Sequence, residues 1–79
     1  MNSRLRKHLL ACLRAGSGFV LPECVLGEEC APVWTLSEMR AELRRLEGDG
    51  LAAPGRNPLG ELAWQLTAAG QAACAELGL

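Results

Sequence analysis

The sequence predicts a mainly helical α+β fold. Three observations carry that prediction: two amphipathic stretches with helical spacing, a capping box ahead of the longer one, and an alternating apolar segment that follows a turn-rich run. At 79 residues the chain is long enough for one domain, read as residues 1–79, and not for two. Hydrophobic residues make up 49% and charged residues 22%, so the chain has the composition of a folding domain and not of a disordered tail.

The first helix is expected from Arg4 to about Ala15, capped by Ser3 and closed by Gly16 in the left-handed position. Leu5, Leu9, Cys12 and Leu13 share one side of it, while Arg4, Lys7, Ala11 and Arg14 follow one another down the other. Between Ser17 and Trp34 the periodicity breaks, with turn signals at Gly16, Gly18, Pro22, Gly27 and Pro32. Only a short helix fits there, from about Pro22 to Leu26 with room to extend toward Cys30.

Thr35-Leu36-Ser37-Glu38 is a capping box, in which the Thr hydroxyl and the Glu carboxylate satisfy backbone donors reciprocally. The long helix it opens carries Leu36, Met39, Leu43 and Leu46 as its apolar stripe and ends at Gly48-Asp49-Gly50. Farthest from that stripe lie Ser37, Glu38, Ala41, Arg44 and Arg45, the expected outer face. Two strands follow, Leu51–Arg56 and Leu62–Thr67, around the loop Asn57-Pro58-Leu59-Gly60-Glu61. Pro54 and Pro58 make the first a short edge strand, and alternation puts Leu62, Trp64 and Leu66 on the core side of the second. Thr67 caps a last helix through about Leu77 that buries Leu66, Gly70, Ala73 and Leu77.

The helix end Leu43-Arg44-Arg45-Leu46-Glu47-Gly48-Asp49-Gly50-Leu51, followed by a loop and Trp64-Gln65-Leu66-Thr67-Ala68-Ala69-Gly70, resembles the winged helix-turn-helix superfamily as found in bacterial regulators of the MarR and PadR type. The likeness extends over about Thr35 to Leu77. Leu-Pro-Glu ahead of the capped helix also looks like small winged-helix proteins of Mu-like prophages. The resemblance implies three helices, a two-stranded hairpin wing and a C-terminal helix. It further implies double-stranded DNA as partner, read by the helix from Thr35 to Glu47, in a transcriptional regulator or prophage accessory protein. Ser37, Ala41, Arg44 and Arg45 would then face bases or phosphates, Arg56 would sit in the wing, and Arg4, Lys7 and Arg14 would meet flanking phosphates.

Charge distribution qualifies that expectation. The formal total of -1 excludes coating of nucleic acid by bulk charge alone. It divides into +4 over residues 1–14, which hold Arg4, Arg6, Lys7 and Arg14 with no acid, and -5 over the rest, with four basic and nine acidic groups. From Thr35 to Gly50, Arg40, Arg44 and Arg45 stand against Glu38, Glu42, Glu47 and Asp49, again -1. An acidic balance on the reading helix, with Leu59, Leu77 and Leu79 at exposed ends, keeps open an alternative as a protein-interaction module or homodimer. The basic stripe itself also has a plain reading as the solvated side of an amphipathic helix.

The remaining chemistry-bearing residues read as structural. Cys24 and Cys30, beside Glu23, Glu28 and Glu29 and with His8 or Cys12 as further donors, are separated by five residues where structural zinc sites use two to four, so no metal is expected. Cys12 and Cys74 read as small core hydrophobes, His8 as a satisfied histidine, and Trp34 as a staple onto Met39. There is no phosphate-binding loop, nucleophile elbow or paired metal-histidine motif, and every carboxylate is expected on a solvated surface, so no enzyme activity and no cofactor are expected. Leu9–Leu13 is too short an apolar run for a signal or a membrane span, and a cytoplasmic location with reduced thiols follows as the expectation.

Overall fold

The structure is a computed structural model that describes residues 2–16 and 20–79. Its described residues form four helices and one three-stranded antiparallel sheet: α1 (Ser3–Ala15), β1 (Leu21–Pro22), α2 (Glu23–Cys30), α3 (Leu36–Gly48), β2 (Ala52–Arg56), β3 (Leu62–Leu66) and α4 (Ala68–Leu77). No helix among the described residues is long and apolar enough to cross a membrane. The turn read at Gly18 lies outside the described residues.

Helix α1 buries Leu5, Leu9, Leu10 and Leu13, each contributing about 2 kcal/mol of transfer free energy, and packs them against α2, α3, α4 and the sheet. Its start differs from the expected one. Asn2, with an extended backbone, accepts the Leu5 amide on Oδ1 at 3.0 Å, so Asn2 is the cap and Ser3 already lies in the helix. Gly16 is not left-handed, having φ -90. What requires glycine there is room, because a Cβ at Gly16 would sit 2.9 Å from the Leu21 side chain.

Leu21 and Pro22 form a third strand that hairpin signals could not reveal, pairing antiparallel with Trp64 and Ala63. The sheet order is β1-β3-β2, so the expected two-stranded hairpin is the larger part of a three-stranded sheet with β3 at its centre. Two residues are too few to show a period of two. Pro54 does sit in an edge strand, opposite Trp64, where its missing donor is tolerated. Between two neighbours, Ala63 and Trp64 are both buried, while Leu62 and Leu66 are only half-buried, so the expected alternation is blurred. Helix α2 continues past Gly27 to Cys30. Leu36, expected in the α3 stripe, is 46% exposed, and Leu77, expected in the core, is 48% exposed. Cys74 takes the place expected of Leu77, with its thiol 3.7 Å from the Leu10 carbonyl. Leu79, expected at an exposed end, folds back and packs half-buried against the core.

The corner from β3 to α4 explains the Leu-Thr-x-x-Gly sequence. Thr67 accepts the Gly70 amide on its hydroxyl at 3.0 Å, donates that hydroxyl to the Gly50 carbonyl, and donates its own amide to the Leu51 carbonyl at 3.1 Å. This draws α4 so close to Leu51 that a Cβ on Gly70 would fall well inside contact distance of the Leu51 carbonyl oxygen. Gly70→Ala therefore gains about 1 kcal/mol of helix propensity and loses more to displaced backbone, a net loss of about 2 kcal/mol. Thermal unfolding should show a drop of roughly 10 °C. Gly48→Ala, with nothing within 4 Å of the added Cβ, should melt at or above the wild-type temperature. A Gly70→Ala protein as stable as wild type would contradict the close approach.

Candidate functional site

Helix α3 is set by its first turn. Thr35 accepts the Glu38 amide on its hydroxyl at 3.1 Å, and Glu38 accepts the Thr35 amide on its carboxylate at 3.0 Å. Met39, Leu43 and Leu46 are fully buried beneath it. Ser37, Ala41, Arg44 and Arg45 are exposed on the outer side, as the helical wheel requires, and Arg40 is exposed on its flank. Glu38 shares that side, but its carboxylate is occupied by the cap.

Glu42 departs most from expectation. It lies on the flank of the apolar stripe and is 0% exposed, in place of the solvated position expected of every carboxylate. Its Oε1 accepts from the Asn2 amide at 3.2 Å and from Arg45 Nη1 at 3.1 Å, and its Oε2 stands 3.6 Å from Arg6 Nε. Arg6 also bridges to Asp49 just beyond the α3 C-terminus. One arginine of α1 thus holds both a buried carboxylate and the end of α3. A buried carboxylate needs such compensation, since an unpaired charge in the interior loses several kcal/mol of hydration.

The other α3 arginines are also engaged. Arg44 bonds Glu47 at 3.1 Å and lies over the Trp64 ring, 5.7 Å from its centroid, a cation–π distance. Trp64 is buried and donates its indole N–H to Glu23 Oε1 at 3.0 Å, while Glu23 Oε2 accepts from Arg40 Nε at 3.1 Å. In the hairpin, Asn57 Oδ1 accepts the amides of Leu59 and Glu61 at 3.0 and 2.9 Å, and Gly60 supplies the left-handed residue at φ +81. Arg56 donates across this loop to the Gly60 carbonyl at 3.2 Å.

Of the residues expected to meet DNA, the structure gathers Arg4, Ala41 and Arg45 around one open cleft of about 540 Å³ between the start of α1 and α3, shared with Asn2, Ser3, Leu5, Glu38 and Glu42. Ser37 and Arg44 lie on the same helix outside the cleft, and Arg56 stands apart at the end of β2. Lys7 is exposed and Arg14 half-buried on the outer side of α1. Sequence reasoning missed Arg6 and Glu42. A signal for Glu42 was present in its spacing, three residues after Met39 and four before Leu46, which places it beside the apolar stripe and not opposite it.

A second groove, of about 480 Å³, runs between α1 and α2 past His8, Cys12, Leu21, Val25 and Glu29. His8 Nε2 donates to the Glu29 carbonyl at 2.9 Å, lies 3.7 Å from the Cys12 sulfur, and its ring packs 5.2 Å from that of Trp34. Trp34 thus meets His8 at a tilt of 35° and packs half-buried against the core cluster that includes Met39, onto which a staple was expected. Among the described residues no three His, Cys, Asp or Glu side chains are placed to hold a metal ion. Burial pushes the Cys12 thiol above its ordinary value, with Glu29 adding to the effect, and does the same to Cys30, with Cys12 and Glu29 adding.

Arg6→Met leaves Glu42 short of a partner and should lower unfolding free energy in urea by about 3 kcal/mol, whereas the double change Arg6→Met with Glu42→Leu should recover most of it. Additive losses in the double variant would show that the two residues do not act together. For the thiols, alkylation near pH 8 should modify exposed Cys24 first and leave Cys12 and Cys30 to lag, since protonated thiols are poor nucleophiles. The raised thiols have no effect on stability while both states are protonated. As pH climbs through the ordinary thiol range near 8.5 the unfolded chain loses protons first, and stability falls.

No family model, no curated protein and no solved structure matches this chain.

Proposed function

We propose that the chain is a small winged helix-turn-helix domain that binds double-stranded DNA, as a transcriptional regulator or prophage accessory protein. The element order α1-β1-α2-α3-β2-β3 with strand order β1-β3-β2 supports the fold, with α2 and α3 as the helix-turn-helix and the β2–β3 hairpin as the wing. The observation that carries the function is the outer side of α3, where Ser37, Ala41, Arg44 and Arg45 are exposed together, with Arg40 on the flank, while the opposite side is sealed in the core. Ala41 leaves the middle of that side low, so a groove floor can approach between longer arginines.

The acidic tally of this helix weighs less against DNA than its count suggests. Glu42 is interior and bridged by Arg6, which also neutralises Asp49, and Glu38 is committed to the cap. Glu47 holds Arg44 in an exposed pair of the kind worth about 0 to 1 kcal/mol, which a phosphate or guanine edge can displace, and Glu23, itself 15% exposed, holds the exposed Arg40. Selection from a random-sequence duplex pool at about 50 mM salt should enrich a common motif with the wild type. Arg44→Ala with Arg45→Ala should abolish that enrichment while far-UV circular dichroism stays the same, because each base-directed arginine contributes about 1 to 3 kcal/mol of discrimination. Absence of any duplex retained by the wild type would overturn the reading.

A second reading, a protein-interaction module, draws on the apolar residues left exposed at the α2–α3 turn and the hairpin tip: Val33, Leu36 and Leu59, the last 83% exposed. Light scattering after size exclusion separates the two. A strict monomer that retains duplex counts against it.

A further inference from the structure

The eight cationic side chains divide into two sets. Arg6, Arg40, Arg44 and Arg45 are ion-paired to carboxylates, and Arg56 is bonded to a carbonyl. Arg4, Lys7 and Arg14 make no hydrogen bond or ion pair with any described residue, and all three lie on the outer side of α1. The first turn of α1 contains no acid, so Arg4 also faces the positive end of the helix dipole uncompensated. From this division we infer that the outer side of α1 is the phosphate-anchoring surface of the domain, and that it, and not α3, carries the salt dependence of nucleic-acid binding. The inference rests on the DNA-binding reading above and adds that the cations of α1, and not the ion-paired arginines of α3, set the salt dependence.

A free cation that meets a phosphate releases a counterion from the duplex outright. An arginine held by Glu23 or Glu47 frees that carboxylate when it turns to a phosphate, and the carboxylate then takes up a cation from solution, while Arg45 is kept at its post by the interior Glu42. The exchange releases almost nothing net, so α3 contributes contacts and discrimination with little slope. The spacing of the free cations points to the occupant. Arg4 and Arg14 are ten residues apart on the helix, about 15 Å along its axis, which no small anion can bridge. A duplex presents about nine backbone charges over that length. A membrane surface is a poor fit because the apolar side of α1, from Leu5 to Leu13, is closed in the core and has nothing to insert. An acidic protein is less well matched than a duplex, because Arg4 at one end of the row borders the same cleft as Ala41 and Arg45, which makes the surface continuous with the α3 side.

The test is fluorescence anisotropy with a random-sequence duplex across about 50 to 200 mM salt. Three free cations give a slope of about -2.7 in log affinity against log salt, or roughly 40-fold weaker binding over that range. Arg4→Ala with Lys7→Ala and Arg14→Ala, checked for an unchanged thermal melt, should lose no more than about fourfold over the range and bind weakly throughout. Arg44→Ala with Arg45→Ala should keep the wild-type slope. A flattened slope in the α3 variant with the α1 variant unaffected overturns the inference and leaves the DNA-binding reading standing. No duplex binding by the wild type at any salt overturns both. Tighter binding to poly-glutamate or to anionic vesicles than to duplex overturns the assignment of nucleic acid to this surface.

Discussion

The interior carboxylate of Glu42 is the constraint around which the rest is arranged. Helix α3 cannot be buried to the depth of Met39, Leu43 and Leu46 without taking Glu42 with it, and Glu42 cannot go there unpaired. The partners come from three directions: the Asn2 amide ahead of α1, Arg6 one turn into α1, and Arg45 one turn along α3. The same Arg6 reaches Asp49 beyond the last turn of α3. The angle and register of α1 on α3 are thereby tied to charge pairing as well as to leucine packing, and a purely apolar contact would have left more freedom to slide.

A second fixed point is Trp64 at the centre of the sheet. Its ring is in the core, its N–H is bound by Glu23 at the start of α2, and Arg44 of α3 lies over its face. One side chain therefore joins the central strand to both helices of the α2–α3 pair. Glu23 in turn holds Arg40, so the arginines on the outer side and flank of α3 are oriented by groups beneath and beside them. The arrangement makes the surface preorganised, with weak internal competition at the exposed Arg44–Glu47 pair and a firmer hold on Arg45 by the interior Glu42.

The charge on the chain is used in two ways that a net figure conceals. Most arginines work inside the molecule, closing a buried pair, a cation–π contact or a loop. Those at positions 4 and 14, with Lys7 between them on the outer side of α1, have no hydrogen-bond or ion-pair partner among the described residues. A near-neutral protein can in this way keep one directed basic surface without the indiscriminate adhesion of a strongly basic chain.

By itself the sequence determined the elements whose signals are local. The reciprocal Thr35 and Glu38 cap, the Thr67 cap, the leucine spacing of α1 and α3, and the charge asymmetry between the first 14 residues and the rest could all be read from neighbours a few positions apart. They concern hydrogen bonds and periodicity within one element, and tertiary packing kept them. The tertiary structure alone decided strand β1, the burial of Glu42, the exposure of Leu36 and Leu77, and which arginines are occupied. Those depend on partners far along the chain, 40 residues for Asn2 and Glu42, 41 for Glu23 and Trp64, and 43 for Arg6 and Asp49. A helical wheel gives the direction of a side chain but not what stands opposite it, and a carboxylate is read as solvated until an arginine from another helix is found to meet it.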